Sequence, residues 1–259
     1  MDSIDHFRNP RGLGLVALLA VFLGVVVGGH SVMLWSSASL LQSRWCLYAV
    51  FLACFHLGEF LLTARNQPRD VTADSFLLNH SRAYGVAFAA AVVEFWVSAA
   101  ISPASRNYLF SLVLGATLCA AGQALRAVAM LTASSNFTHL VQVRRRAGHE
   151  LVTRGVYAVF RHPAYVGWFV WSVGTQVLLG NTLCTVAYAY ASWRFFADRI
   201  PEEEDALIDF FGKDYVVYAK MTWGFPGVNS PASECSFESA ELRRLEAERH
   251  REQSHAPSN

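Results

Sequence analysis

The chain has 259 residues, 53% of them hydrophobic and only 16% charged, with a mean hydropathy of +0.28. Soluble chains carry about 25% charged residues, so this composition excludes an ordinary cytosolic enzyme, a coiled coil and a disordered chain, and leaves a membrane protein. A formal net charge of +1 gives no global field to draw in nucleic acid or an anionic substrate, so any working charge is local.

In chain order, the first element is an apolar segment at 13–29, inside a stretch from 12 to 43 without Asp, Glu, Lys or Arg. Its length and the lack of a small-x-small cleavage site read as a retained anchor rather than a secretory signal. Gly24 and Gly28 within it form a G-x-x-x-G helix-contact pattern. A shorter apolar piece at 32–41 enters the membrane or lies on it. Further spans follow at 45–64, 84–101 and 108–131, bounded by Arg44, Arg65, Arg82, Pro103 and Arg106. A second uncharged stretch, 162–193, is too long for one upright crossing of about 30 Å and is broken by Gly180-Asn181. It predicts a hairpin of two short helices at 163–179 and 182–197. The fold class is therefore all-α, a polytopic membrane protein with six to eight transmembrane helices. Three regions are expected: N-terminal spans over 1–133, a catalytic and cofactor-binding region over 134–228 that includes the hairpin, and a polar tail over 229–259. The tail is rich in Ser, Glu and Arg, lacks an apolar face and reads as solvated or disordered. Five scattered cysteines form no C-x-x-C pair, so neither a zinc site nor a disulfide framework is expected.

Orientation follows from Lys and Arg in the short loops. One side receives Arg8, Arg11, Arg65, Arg69, Arg82, Arg144, Arg145, Arg146, Arg154 and Arg161, with the charged segment after Ala197; the other receives Arg44 and Arg106. Both termini and the 132–161 loop are thus expected in the cytosol. The sequons Asn79-His80-Ser81 and Asn136-Phe137-Thr138 fall on that side and are expected to carry no glycan.

Glu59, Glu94 and Arg126 lie inside or near the ends of spans, where a charge costs a few kcal/mol unless it is paired or hydrated. Each is a functional-site candidate. The plainer alternatives are snorkelling for Glu59 and a buried Glu94–Arg126 pair that holds two helices together.

Polar and aromatic residues concentrate between His139 and Lys220. Pro163 suits the first turn of a helix, which puts Arg161 and His162 at its entrance at the membrane surface. Backbone N–H groups there can take a carboxylate or ribose oxygens; the alternative is an interfacial anchor with Tyr165 and Trp168 in the aromatic belt. If the following helix continues through Pro201, Arg199 and Glu203 sit four apart on one face, and Glu202, Glu204 and Asp205 read as a solvated helix start. Arg199 directly follows an apolar span and is placed to hold an anionic group arriving from lipid.

The blocks His149-Glu150-Leu151-Val152, Gly155-Val156-Tyr157, Arg161-His162-Pro163-Ala164-Tyr165-Val166-Gly167-Trp168, Arg194-Phe195-Phe196, Arg199 with Glu202, Glu203 and Glu204, and Phe210-Phe211-Gly212 with Tyr215 together resemble the isoprenylcysteine carboxyl methyltransferase family. The resemblance covers about a third of the chain; the N-terminal spans agree only in number and character. It implies an S-adenosylmethionine-dependent O-methyltransferase of the endoplasmic reticulum membrane. Its substrates would be prenylated CaaX proteins such as small GTPases, with neither metal nor nucleic acid as a partner. It also implies that Gln142, His149, Glu150, Leu151, Val152, Tyr157, His162, Pro163, Ala164, Tyr165 and Glu203 line the cofactor pocket, and that Arg199 engages the substrate. With no glycine-rich strand-to-helix loop, such a pocket would be helical. A prenylcysteine carboxylate is already ionised and needs no general base, so Arg199 and Glu203 would act by orientation and cofactor contact, a contribution of about 7 to 11 kcal/mol at best. Rival readings are a phospholipid methyltransferase or an NADPH-dependent sterol reductase of the same superfamily. A transporter or scaffold using Glu94 and Arg126 as a polar relay is a third, and it leaves the cytosolic motifs without a role.

Overall fold

Backbone inside hydrocarbon must satisfy its own hydrogen bonds, and a chain this poor in charge does so with long helices. The computed structural model describes residues 9–79, 81–106, 108–142, 145 and 148–255. Arg8, His80, Arg144 and Arg146, which entered the expected topology, lie outside the described residues. The helices are α1 (Leu13–Trp35), α2 (Leu40–Asn66), α3 (Arg82–Ile101), α4 (Leu109–Ala133), α5 (Pro163–Leu179), α6 (Thr182–Phe211), α7 (Lys213–Met221), α8 (Pro231–Glu234) and α9 (Phe237–His255), with short 3-10 turns between some of them. By length and composition, α1 to α4 are each able to cross a membrane. α5 and the first half of α6 form the expected hairpin. Gly180 takes a left-handed φ of 75°, and Asn181 N–H returns to the Gln176 carbonyl at 3.0 Å.

The apolar piece expected at 32–41 is not separate. Its first residues extend α1 and its last open α2, because Ser39 accepts from the Gln42 N–H and starts a new helix there. Among the described residues the G-x-x-x-G pattern in α1 has no close packing partner, since a Cβ on Gly24 or Gly28 would meet no atom within 4 Å. The closely packed glycines lie elsewhere. Gly122 on α4 and Gly167 on α5 face each other, Gly115 faces the Leu178 backbone of α5 and Gly174 the Leu118–Cys119 turn of α4, and a Cβ on Gly122 would stand 2.4 Å from the Trp171 backbone nitrogen. The two glycines on each helix are seven residues apart, two helical turns, so both helices present a smooth stripe at the same repeat.

Charge pairing follows depth. Glu59 and Arg126 lie seven residues before the ends of α2 and α4, which finish on the same side, and they form a two-pronged ion pair at 2.5 and 2.8 Å. Glu94 lies seven residues before the end of α3, which finishes on the opposite side, so a Glu94–Arg126 pair does not form. Its carboxylate instead accepts from the N–H groups of Leu183 and Cys184 at 2.9 and 2.7 Å, capping α6 where the helix dipole favours an anion. Neither is Glu59 snorkelling, for it is 3% exposed.

The tail, expected as solvated or disordered, instead carries α8 and α9. Ala232 and Ala240 are fully buried against the cluster of Ile208, Phe211 and Val216, and Arg243 bridges Asp205 and Asp209 at 3.0 and 2.7 Å. Two small alanines and a row of charges make the contact, which is why no apolar stripe announces it.

Candidate active site

Pro163 opens α5 at its first position, so the residues before it enter the bundle rather than an aromatic belt: Arg161 and His162 are buried. The Arg161 backbone donates to the Trp223 carbonyl at 2.9 Å, and its guanidinium donates to the Ala219 carbonyl at 2.6 Å and to Ser233 Oγ at 3.2 Å. At the helix entrance, the N–H groups of Tyr165 and Val166 both donate to the His162 carbonyl at 3.1 Å. α6 does not stop near 197 but runs on through Pro201 to Phe211, which places Ile200, Glu204 and Ile208 on one buried face at a spacing of four.

Glu204 therefore departs from the solvated helix start expected for it. It is fully buried, with Oε1 3.2 Å from His162 Nε2 and 3.1 Å from Arg161 Nε, and Oε2 accepting from the Ser230 hydroxyl. Burial alone would raise this carboxyl. The His162 and Ser230 hydrogen bonds and the Arg161 charge outweigh burial and hold it below the usual carboxylate range. Glu202 is exposed as expected, and Asp205 is half-buried against Arg243.

Glu203 faces the other way, into a solvent-facing cleft of about 870 Å³ counting its open mouth. All eleven residues expected around a cofactor line it: Gln142, His149, Glu150, Leu151, Val152, Tyr157, His162, Pro163, Ala164, Tyr165 and Glu203. Asn136 Oδ1 accepts from the Glu150 N–H at 3.0 Å, and His149 packs edge-on against Phe210 and Phe211, so this loop is held from both sides. Burial pushes the Tyr157 and Tyr215 hydroxyls well above the usual range, leaving them neutral donors. Tyr215 lines the cleft, and its hydroxyl is buried without a hydrogen-bond partner among the described residues.

Arg199 lines a second, larger and mainly apolar cleft of about 1600 Å³ counting its opening. Its walls carry Tyr48, Phe55, Trp168, Trp171 and Tyr188, with exposed lining residues on both α3 (Ala83, Phe88) and α6 (Ala191, Phe195), so it opens sideways between those helices. Sequence reading missed this cavity, because its walls come from five helices, α2 to α6, whose contributions carry no common motif. The uncharged polar Ser172, Thr175 and Ser192 inside apolar spans were the available signal.

The two clefts meet at Tyr165, which lines both. Its hydroxyl donates to Glu203 and accepts from Arg199 Nε at 2.9 Å, while its ring stacks on His162 and Phe196. Arg199 also donates from Nη2 to the His139 carbonyl at 2.5 Å. One turn of α6 thus points a cation into the apolar cleft and an anion into the solvent-facing one. That pairing suits an anionic head on a lipid tail meeting a cationic small molecule.

Comparison with known proteins agrees in kind. The family model described as the isoprenylcysteine carboxyl methyltransferase (ICMT) family matches residues 114–209. The chain is 49% identical over 208 residues to a protein-S-isoprenylcysteine O-methyltransferase of Xenopus laevis, covering 79% of this chain and 70% of that protein. Against the protein of the same name from Homo sapiens it is 46% identical over 214 residues, covering 83% and 74%. Against that of Saccharomyces cerevisiae it is 36% identical over 229 residues, covering 86% and 94%. Among solved structures it is similar to the eukaryotic intramembrane Ras methyltransferase ICMT determined without a monobody, with a TM-score of 0.80, 41% identity, and coverage of 87% of this chain and 81% of that one.

Proposed function

The chain belongs to the isoprenylcysteine carboxyl methyltransferase family, and from that premise we propose how its two clefts divide the reaction. The enzyme is a membrane methyltransferase that esterifies the C-terminal carboxylate of prenylated cysteine in processed CaaX proteins. The donor is S-adenosylmethionine, and the acceptors include prenylated small GTPases. The chain crosses the endoplasmic reticulum membrane several times, with both termini and the active site in the cytosol. Its working parts are the spans over 1–133 and the catalytic and cofactor-binding region over 134–228.

Whether the solvent-facing cleft fits this donor is judged by its lining. Glu203 offers a carboxylate to the cationic amino acid portion, the unpartnered Tyr215 hydroxyl offers a hydrogen bond, and His149 with its two phenylalanines offers flat apolar surface. The lining fits. When bound, S-adenosylmethionine supplies an electrophilic sulfonium methyl, and its transfer to an ionised carboxylate requires no general base.

The protein's share is therefore placement. Arg199, fixed by Tyr165 and the His139 carbonyl, orients the acceptor carboxylate at the end of the apolar cleft. Tyr165 sets the separation of Arg199 from Glu203, and the aromatic wall keeps water from the acceptor. The prenyl chain lies between α3 and α6, open to lipid.

One observation carries this reading: Arg199 and Glu203, one turn apart on α6, are joined through Tyr165 at the junction of a lipid-facing and a solvent-facing cleft. The test is transfer of radiolabelled methyl from S-adenosylmethionine to N-acetyl-S-farnesylcysteine by the purified protein in lipid. Base-labile label from the wild type and none from Arg199→Ala is the expected result. Equal label from both removes Arg199 from the site.

A further inference from the structure

The scheme above uses the His139 carbonyl but leaves the side chains of Glu59, Arg126 and His139 without a task; the first two are buried and the third half-buried. Glu59 comes from α2, 80 residues before His139, and its Oε2 receives His139 Nε2 at 2.8 Å. The same carboxylate already takes two bonds from Arg126, at 2.5 and 2.8 Å. Its charge is therefore balanced without the imidazole, and the third bond supplies geometry rather than a counter-ion. His139 is held in two directions at once. Its side chain is tied to α2 through Glu59, and its carbonyl is tied to α6 through Arg199 Nη2. We infer that Glu59 and His139 are positioning residues for Arg199, which set the plane of its guanidinium toward the acceptor carboxylate.

The donor inventory supports this assignment. A guanidinium has five N–H groups in a rigid fork. Arg199 uses Nε on the Tyr165 hydroxyl and Nη2 on the His139 carbonyl, and among the described residues Nη1 has no such bond. Two anchors on separate elements fix the fork in a plane on the wall of the apolar cleft. With the Tyr165 anchor alone, the fork turns about that bond. His139 itself sits in the linker between α4 and α5 beside Phe137 and Thr138, which line both clefts, so its seating also keeps that linker between donor and acceptor.

The inference rests on the methyltransferase reading, and its test separates the two. Equilibrium binding of N-acetyl-S-farnesylcysteine and of its carboxamide is measured in lipid nanodiscs for the wild type, His139→Ala, His139→Gln and Arg199→Ala, alongside S-adenosylhomocysteine. A well-placed Arg199 makes the wild type prefer the acid over the amide. His139→Ala should shrink that preference about fivefold or more, with S-adenosylhomocysteine affinity within about twofold of wild type. His139→Gln, whose amide N–H can reach Glu59, should restore most of it, and adding His139→Ala to Arg199→Ala should remove nothing further. If His139→Ala weakens acid and amide equally, its role is structural and the inference fails. If the wild type itself does not prefer the acid, the assignment of Arg199 to the acceptor fails instead. Glu59→Gln is the companion variant; because the His139 variants leave the Glu59–Arg126 pair intact, the test stands even where Glu59→Gln does not fold.

Discussion

Substituting alanine for glycine has opposite predicted signs at two positions of this membrane bundle. Alanine at Gly122 would put its Cβ 2.4 Å from the Trp171 backbone nitrogen and 2.6 Å from the Gly167 carbonyl oxygen. Both are main-chain atoms of α5, so no side chain can swing aside, and the helices must separate by about 1 Å to reach ordinary contact. Overpacking of this kind costs about 1 to 3 kcal/mol. At Gly28 on α1, an added Cβ meets nothing within 4 Å, and replacing glycine by alanine inside a helix gains up to about 1 kcal/mol. In matched detergent, thermal unfolding followed by circular dichroism should drop by about 2 to 12 °C for Gly122→Ala and hold or rise slightly for Gly28→Ala. The same displacement moves α5, which carries Pro163, Ala164 and Tyr165, against α4, which carries Arg126, so turnover should fall about 100-fold even in the folded fraction. Equal melting temperatures for the two variants, with normal turnover at Gly122→Ala, would refute the close α4–α5 packing and its coupling to the site.

Arg199→Ala should lower kcat for a prenylcysteine acceptor about 100-fold or more and leave S-adenosylhomocysteine binding largely intact, whereas Glu203→Ala should weaken that binding about tenfold; isothermal titration beside single-turnover methylation checks both. Glu204→Ala strands the buried Arg161 and should lose about 3 to 5 kcal/mol of stability. Because the folded state holds the Glu204 carboxyl below its ordinary 4.5, that stabilisation is complete above about pH 4.5 and is lost as pH falls through the lowered value. Melting curves of the wild type and Glu204→Gln should therefore converge on acidification, and divergence would contradict the burial of a charged Glu204. Asn136 lines the solvent-facing cleft and holds Glu150 through its side chain, so glycosidase treatment should leave the electrophoretic mobility unchanged. A shift traced to either sequon reverses the proposed orientation.

What could be read from the sequence divides by the range of the interaction. Helices α1 to α6 and the Gly180-Asn181 hairpin were legible because each depends on local hydropathy, turn chemistry and spacing, whereas the run of α6 past 197 and through Pro201 could be read only as a condition, since a proline stops some helices and only kinks others. The Arg199–Glu203 relationship was legible for the same reason, being one helical turn. The cofactor-cleft lining came from the family resemblance, since no spacing rule links Gln142, Tyr157 and Glu203. Pairing across helices was not legible. Glu94 and Arg126 were the natural partners by charge, but depth in the bundle matched Arg126 to Glu59 and sent Glu94 to the start of α6. Glu204 was hidden inside an acidic run that looks solvated until the buried face of α6 is known. The tail fails as a hydropathy problem, because alanines and ion pairs rather than large apolar side chains dock α9.

The cap that Glu94 places on α6 has a consequence for how an acceptor arrives. It ties α3 to α6 at the hairpin end, and Asn181 adds a bond to the Ala91 carbonyl at 2.9 Å, so among the described residues the sideways opening lies toward the end that holds Arg199. In the proposed orientation the slit therefore serves the cytosolic leaflet. Pulling a fifteen-carbon chain fully into water would cost on the order of 10 kcal/mol, a penalty of about ten million-fold in concentration. An anchored protein that slides along that leaflet never meets this barrier: its lipid stays in hydrocarbon while its terminus is threaded to the junction, and the search for substrate becomes two-dimensional.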